Sequence, residues 1–146
     1  MALLFTNTEL MTPTACIPRG WLLARGGEIA ALGRGDAPDG LDAEAIDGTG
    51  LTLLPGFVDV HVHGGAGSEA MDASRDALGT MAHFFAQHGV TAFLATTWTD
   101  SRPRIQAALE AIAAARGRMP NGATLLGAHI EGPYINPERP GAQSGN

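Results

Sequence analysis

Between Phe57 and Val62 the chain is apolar except for Asp59 and His61. Such a run suits a strand of a parallel sheet buried on both faces. Beyond it the period changes. Leu78, Met81 and Phe85 recur at helical spacing, with Asp72 or Ser74 as N-cap and Gly89 placed to end a helix that reaches His88. Val90 to Thr97 is β-branched and aromatic and predicts a second strand. Asp100-Ser101 and Pro103 open a second helix, whose apolar stripe is Ile105, Ala108, Leu109, Ile112 and Ala113. Pro120-Asn121-Gly122 breaks it, and Ala123 to Ile130 predicts a third strand. Strand, helix, strand, helix, strand is the order of a parallel α/β architecture.

The stretch before Pro55 reads differently. Leu3 to Thr6 is a short β candidate, and Gly20 to Arg25 and Glu28 to Gly33 flank Gly26-Gly27. A glycine pair between two apolar runs signals a hairpin, because such turns need positive φ. Arg34 to Ala43 reads as a loop, followed by short β candidates at Ile46 and Leu51 to Leu54. The expected division is therefore 1–54, rich in strands, and 55–146, alternating strand and helix.

Composition narrows the chemistry. The 146 residues are 45% hydrophobic and 16% charged, as in globular domains. A formal net charge of −6 argues against a nucleic-acid surface. All nine basic residues are arginine, which removes mechanisms built on a Schiff-base, P-loop or carboxylated lysine. Cys16 is the single cysteine, so no disulfide forms within the chain. The N-terminus lacks a signal-peptide pattern, and no stretch approaches the ~18 apolar residues of a membrane span. The expectation is a cytoplasmic protein without a membrane partner.

Residues two apart on a strand share a face, so Asp59, His61 and His63 point together at a strand's C-terminal end, where parallel α/β folds carry their chemistry. Gly64-Gly65 would let the next loop pass close to an ion. At the tip of the third strand His129 and Glu131 repeat the arrangement. Two imidazoles and a carboxylate suit a divalent transition metal such as zinc. A polar patch at a strand end and a solvated loop carboxylate are the plainer readings of the same residues. His83 and His88 fall on or at the end of a helix and read as surface or capping groups. Thr96 and Thr97 either face the site or satisfy backbone groups, and Trp98 reads as packing. Neither Ser101 nor Cys16 has a partner that would make it a nucleophile.

The segment Leu54-Pro-Gly-Phe-Val-Asp-Val-His-Val-His-Gly64 resembles the first barrel strand of the amidohydrolase superfamily. His88-Gly-Val-Thr-Ala-Phe-Leu-Ala-Thr-Thr97 and Gly127-Ala-His-Ile-Glu-Gly-Pro-Tyr-Ile-Asn-Pro137 narrow the resemblance to the N-acetylglucosamine-6-phosphate deacetylase family. That resemblance implies a (β/α)8 TIM-like barrel, of which this chain holds the first three strands, preceded by part of a small β-sandwich. It implies His61, His63 and Glu131 as metal ligands, with Asp59 and His129 supporting them. Ala142 and Gln143 map onto sugar-contacting positions, the latter a histidine in many members. The cofactor would be one or two divalent ions per site, zinc first, with iron, manganese or cobalt as alternatives. The substrate would be the amino-sugar phosphate N-acetylglucosamine 6-phosphate, cleaved to glucosamine 6-phosphate and acetate by a homodimeric enzyme.

The family's catalytic aspartate and two further histidine ligands lie beyond Asn146, so the chain is expected to be an incomplete, inactive fragment. Two rivals stand beside this reading: another amidohydrolase, such as a cyclic amidase or deaminase, and a non-enzymatic metal-binding or interaction module.

Overall fold

A computed structural model of the protein describes residues 1–143. The chain divides into two compact units, Met1–Pro55 and Gly56–Asn146. The first is a sheet of five strands: β1 (Ala2–Met11), β2 (Cys16–Arg25), β3 (Glu28–Arg34), β4 (Glu44–Asp47) and β5 (Thr52–Leu53). Their order is β3-β2-β1-β4, with β5 also on β1. The two hairpin pairs are antiparallel, whereas β4 and β5 run parallel to β1.

The Gly26-Gly27 turn joins β2 to β3, with φ of +63° and +86° at its two central residues. Those are the positive angles a tight hairpin requires and a side chain resists. β1 runs well past the expected Thr6. Inward-facing Thr8 and Leu10 are buried, and the Thr8 hydroxyl donates to the Leu51 carbonyl (2.8 Å), tying the incoming β5 segment to the strand. Leu4, Leu10, Ile17 and Leu23 form the buried apolar positions of this sheet.

The second unit contains β6 (Phe57–Val62), a two-residue ribbon of β7 (Gly64–Gly65) and β8 (Ser68–Glu69), a 3-10 turn at Ala70–Asp72, and α1 (Arg75–Gln87). β9 (Val90–Thr96), α2 (Arg102–Ala115) and β10 (Thr124–His129) follow. The sheet order is β10-β9-β6 with all pairings parallel, so the mixed α/β architecture is present. Phe93, Ala95 and Leu125 are fully buried against Leu78, Met81 and Ala82 of α1 and Ile112 of α2. No helix among the described residues is long and apolar enough to cross a membrane.

Three local expectations are corrected, and one choice between two N-caps is decided. β6 is not buried on both faces: Phe57, Val58 and Val60 are 58%, 55% and 59% exposed. Among the described residues β6 pairs with β9 alone and is an edge strand, so its apolar character is not matched by cover. The N-cap of α1 is Ser74, whose hydroxyl oxygen accepts from the Ala77 amide (3.1 Å). Asp72 instead accepts from the Glu69 amide (2.9 Å) within the 3-10 turn. Helix α2 stops at Ala115, before Pro120, because Gly117 leaves the helix to exchange two hydrogen bonds with Leu125 (2.9 and 3.0 Å). Its buried stripe is Ile105, Ala108, Ile112 and Ala115, and Ala113 faces solvent.

Met81 is fully buried at the centre of this core. Met81→Ala should lower the unfolding free energy by about 3 kcal/mol through the cavity it leaves. Ser74→Ala should cost about 1 kcal/mol through the lost cap. The shift in urea midpoint measures both, and the core change should be the larger.

Candidate metal centre

The site forms where β6 and β10 end on either side of β9. In β6 the register slips: Asp59 pairs with Phe93 but Val62 with Ala95, so one strand spends an extra residue. A bulge of this kind bends a strand and re-aims its side chains. Two side chains absorb the disrupted ladder. The Asp59 carboxylate accepts from the His61 amide (3.1 Å), and the Thr96 hydroxyl oxygen accepts from the Val62 amide (2.9 Å). At the opposite tip the Thr97 hydroxyl oxygen accepts from the Glu131 amide (3.4 Å). Gly132, next in line with φ +82°, passes so close to Thr99 that a Cβ would lie 2.2 Å from its hydroxyl oxygen.

The result brings together three groups remote in sequence. The Nε2 atoms of His61 and His63 lie 3.2 and 3.1 Å from Glu131 Oε2. One ligand-type atom from each residue fits within a mutual distance of 4.8 Å. His63 Nδ1 is 3.2 Å from the Thr96 carbonyl oxygen. A carbonyl only accepts, so Nδ1 carries the proton and Nε2 of the neutral ring presents a lone pair. Fixing a histidine ligand by donating its other N–H to a carbonyl is the usual arrangement at metal centres. Glu131 Oε2 is buried and receives no hydrogen bond among the described residues, although two imidazole nitrogens stand beside it. Lone-pair groups gathered this closely without bonding one another fit a divalent cation, and the nitrogen and oxygen donors suit zinc-like ions.

The surroundings hold these groups in place. The indole of Trp98 stacks on His63, with centroids 3.8 Å apart and planes 16° from parallel. The carboxamide of Gln143 donates to Glu131 Oε1 (2.7 Å) and accepts from the Thr99 amide (2.8 Å). Gln143 therefore sits on the carboxylate, and Ala142 borders a neighbouring cavity of about 380 Å³ lined in part by Glu69, Trp98, Thr99 and Arg104. Asp59 reaches the backbone of His61, not its ring. The His129 ring lies 4.8 Å from that of His61, and its Nδ1 is buried without a hydrogen-bond partner among the described residues.

Residues expected to stand outside the site do so. His83 Nδ1 donates to the Asn121 carbonyl (3.0 Å), tying α1 to the segment before β10, and His88 Nδ1 donates to that of Phe84 (2.8 Å) at the helix's C-terminal end. The Cys16 thiol donates to Glu9 Oε1 (3.3 Å), and that bond to a carboxylate pushes its pKa up, which leaves a poor nucleophile. Gly64-Gly65 forms the short ribbon with Ser68–Glu69. Thr97 satisfies a backbone group, one of its two expected readings, whereas the bracing roles of Trp98 and Gln143 were not foreseen. The signal available was Thr96-Thr97-Trp98-Thr99 itself, where hydroxyls replace aliphatic side chains at the tip of a central strand.

Residues 52–146 match the sequence profile of the Amidohydrolase family. The chain belongs to that family. Amidohydrolases are generally metal-dependent, and His61, His63 and Glu131 are this member's candidate ligands. The chain is 46% identical over 100 residues to the N-acetylglucosamine-6-phosphate deacetylase of Vibrio furnissii, matching 68% of this chain and 25% of that protein. It is 35% identical over 145 residues to the enzyme of the same name from Bacillus subtilis strain 168, matching 97% of this chain and 37% of that protein. The crystal structure of N-acetylglucosamine-6-phosphate deacetylase from Pasteurella multocida superimposes with a TM-score of 0.82 at 26% identity, over 99% of this chain and 38% of that one. This amidohydrolase chain thus spans between a quarter and two-fifths of the length of these relatives.

If the triad holds an ion, the purified chain incubated with zinc should retain it through gel filtration. The double variant His61→Ala/Glu131→Ala should lose it, as read by mass-spectrometric metal analysis. Equal metal in both proteins rejects the assignment.

Proposed function

We propose that the chain contributes its metal centre to the hydrolysis of N-acetylglucosamine 6-phosphate, giving glucosamine 6-phosphate and acetate. The observation that carries this is the convergence of His61, His63 and Glu131 at two strand tips, without hydrogen bonds among their ligand atoms. The names of the relatives supply the substrate class. In this reading residues 1–54 form part of a small β-sandwich, and 55–146 the first three strands and two helices of a (β/α)8 barrel in a cytoplasmic homodimer. Zinc is the proposed ion, since two imidazoles and one carboxylate match its donor preferences.

When bound, the metal supplies a Lewis acid and an activated water for attack on the acetamido carbonyl. The chain's own residues set the geometry. Thr96 orients the His63 ring through its carbonyl, and Asp59 and Thr97 hold the backbone beside His61 and Glu131. Gln143 fixes one carboxylate oxygen of Glu131, leaving Oε2 toward the histidines. The carboxamide has a second N–H beyond the one given to Glu131. With Ala142 beside the cavity, that N–H is the proposed contact to the sugar.

The proton for the departing amine has no assigned donor among these residues, so the 146-residue chain alone should release no acetate. Carried within a polypeptide of its relatives' length, the segment should release acetate from N-acetylglucosamine 6-phosphate in a metal-dependent manner. Ammonia in place of acetate would favour a cyclic amidase or deaminase. Metal binding with neither product would favour a non-enzymatic metal-binding module.

A further inference from the structure

We infer that Trp98 is a positioning residue for His63 and favours the metal-bound state of that ligand. The inference rests on reading His61, His63 and Glu131 as a metal centre. His63 has two freedoms to lose, the rotation of its ring and the tilt of its plane. The Thr96 carbonyl fixes the first through Nδ1 (3.2 Å), and nothing on that edge controls the second. The indole face does, lying parallel within 16° at a centroid separation of 3.8 Å.

Trp98 is itself held. The Thr97 amide before it donates to the His129 carbonyl (3.0 Å), and the Thr99 amide after it donates to Gln143 (2.8 Å). Its side chain packs on the cluster of Met71, Ile105 and Ala108 beneath α2. The indole is therefore a fixed wall running from the helix layer to the ligand ring.

Stacking on an electron-rich indole is also not neutral to the state of the imidazole. A ring that donates its Nε2 lone pair to a cation becomes electron-poor, and an electron-poor ring is drawn to the negative face of an indole. The stack is thus stronger with the ion bound than without it, and that difference adds to metal affinity. An aliphatic side chain at position 98 could fill the space but could not supply this difference.

The test measures zinc affinity of the 146-residue chain by competition with a chromophoric chelator. Trp98→Leu should weaken binding about threefold to tenfold, and Trp98→Phe, which keeps an aromatic face, should recover most of it. A Trp98→Leu chain that binds within twofold of the parent overturns the inference. Should Trp98→Leu fail to fold by circular dichroism, Trp21→Phe leaves Trp98 as the single indole of the chain. Its emission should then change on zinc addition with the same midpoint as the chelator titration. Emission that stays flat while zinc binds overturns the inference. A parent chain that binds no zinc is a different result, and it removes the metal-centre reading together with the inference.

Discussion

The site is governed by a conflict between groups of the same kind. Two imidazole nitrogens lie 3.1 and 3.2 Å from one carboxylate oxygen, Glu131 Oε2, which receives no hydrogen bond among the described residues. Lone pairs gathered like this repel and are partly desolvated, so the arrangement costs free energy unless a cation sits among them. The neighbouring structure maintains that arrangement. The bulge in β6, the threonine hydroxyls at the tip of β9 and the carboxamide of Gln143 each hold one member against relaxation.

Strand β9 has a double role in this. Its middle is ordinary core, with Phe93 and Ala95 fully buried between the helices. At its end the pattern switches to Thr96, Thr97, Trp98 and Thr99, and the strand that separates β6 from β10 also supplies partners to both. Thr96 serves β6 through its hydroxyl and His63 through its carbonyl, while Thr97 serves Glu131. One strand thus sets the spacing of candidate ligands contributed by two others, which is how parallel sheets commonly build sites at their carboxyl ends.

Much of this was legible from periodicity and spacing. The alternation of strand and helix after Pro55 followed from where apolar residues recur. His61, His63 and Glu131 stood out because metal-binding side chains fall two apart at the end of one apolar run and just past the end of another. What escaped is what depends on register and on distant partners. The bulge between Asp59 and Val62 has no signature in local composition, so Asp59 was placed beside its histidines when it serves their backbone. The turn at Gly117 is set by its pairing with Leu125 across the sheet, which no helix-ending rule contains. The exposure of Phe57, Val58 and Val60 reflects how few strands lie beside β6, a fact about neighbours and not about the run itself. Trp98 looked like packing and does pack, but one face of its ring meets a ligand.

Because β9 lies between the strands that carry the candidate ligands, no subset of β6, β9 and β10 can assemble the triad. His61 and His63 meet Glu131 only once both parallel pairings have formed, each closing a loop through a helix. Such non-local pairings form late and slowly relative to helices. An ion held by this triad would therefore report on completion of the whole three-stranded sheet, and would add cooperativity to its unfolding as well as stability by mass action. Metal retention would then be a measure of tertiary assembly, sensitive to loosened sheet pairing even when the helices stay intact.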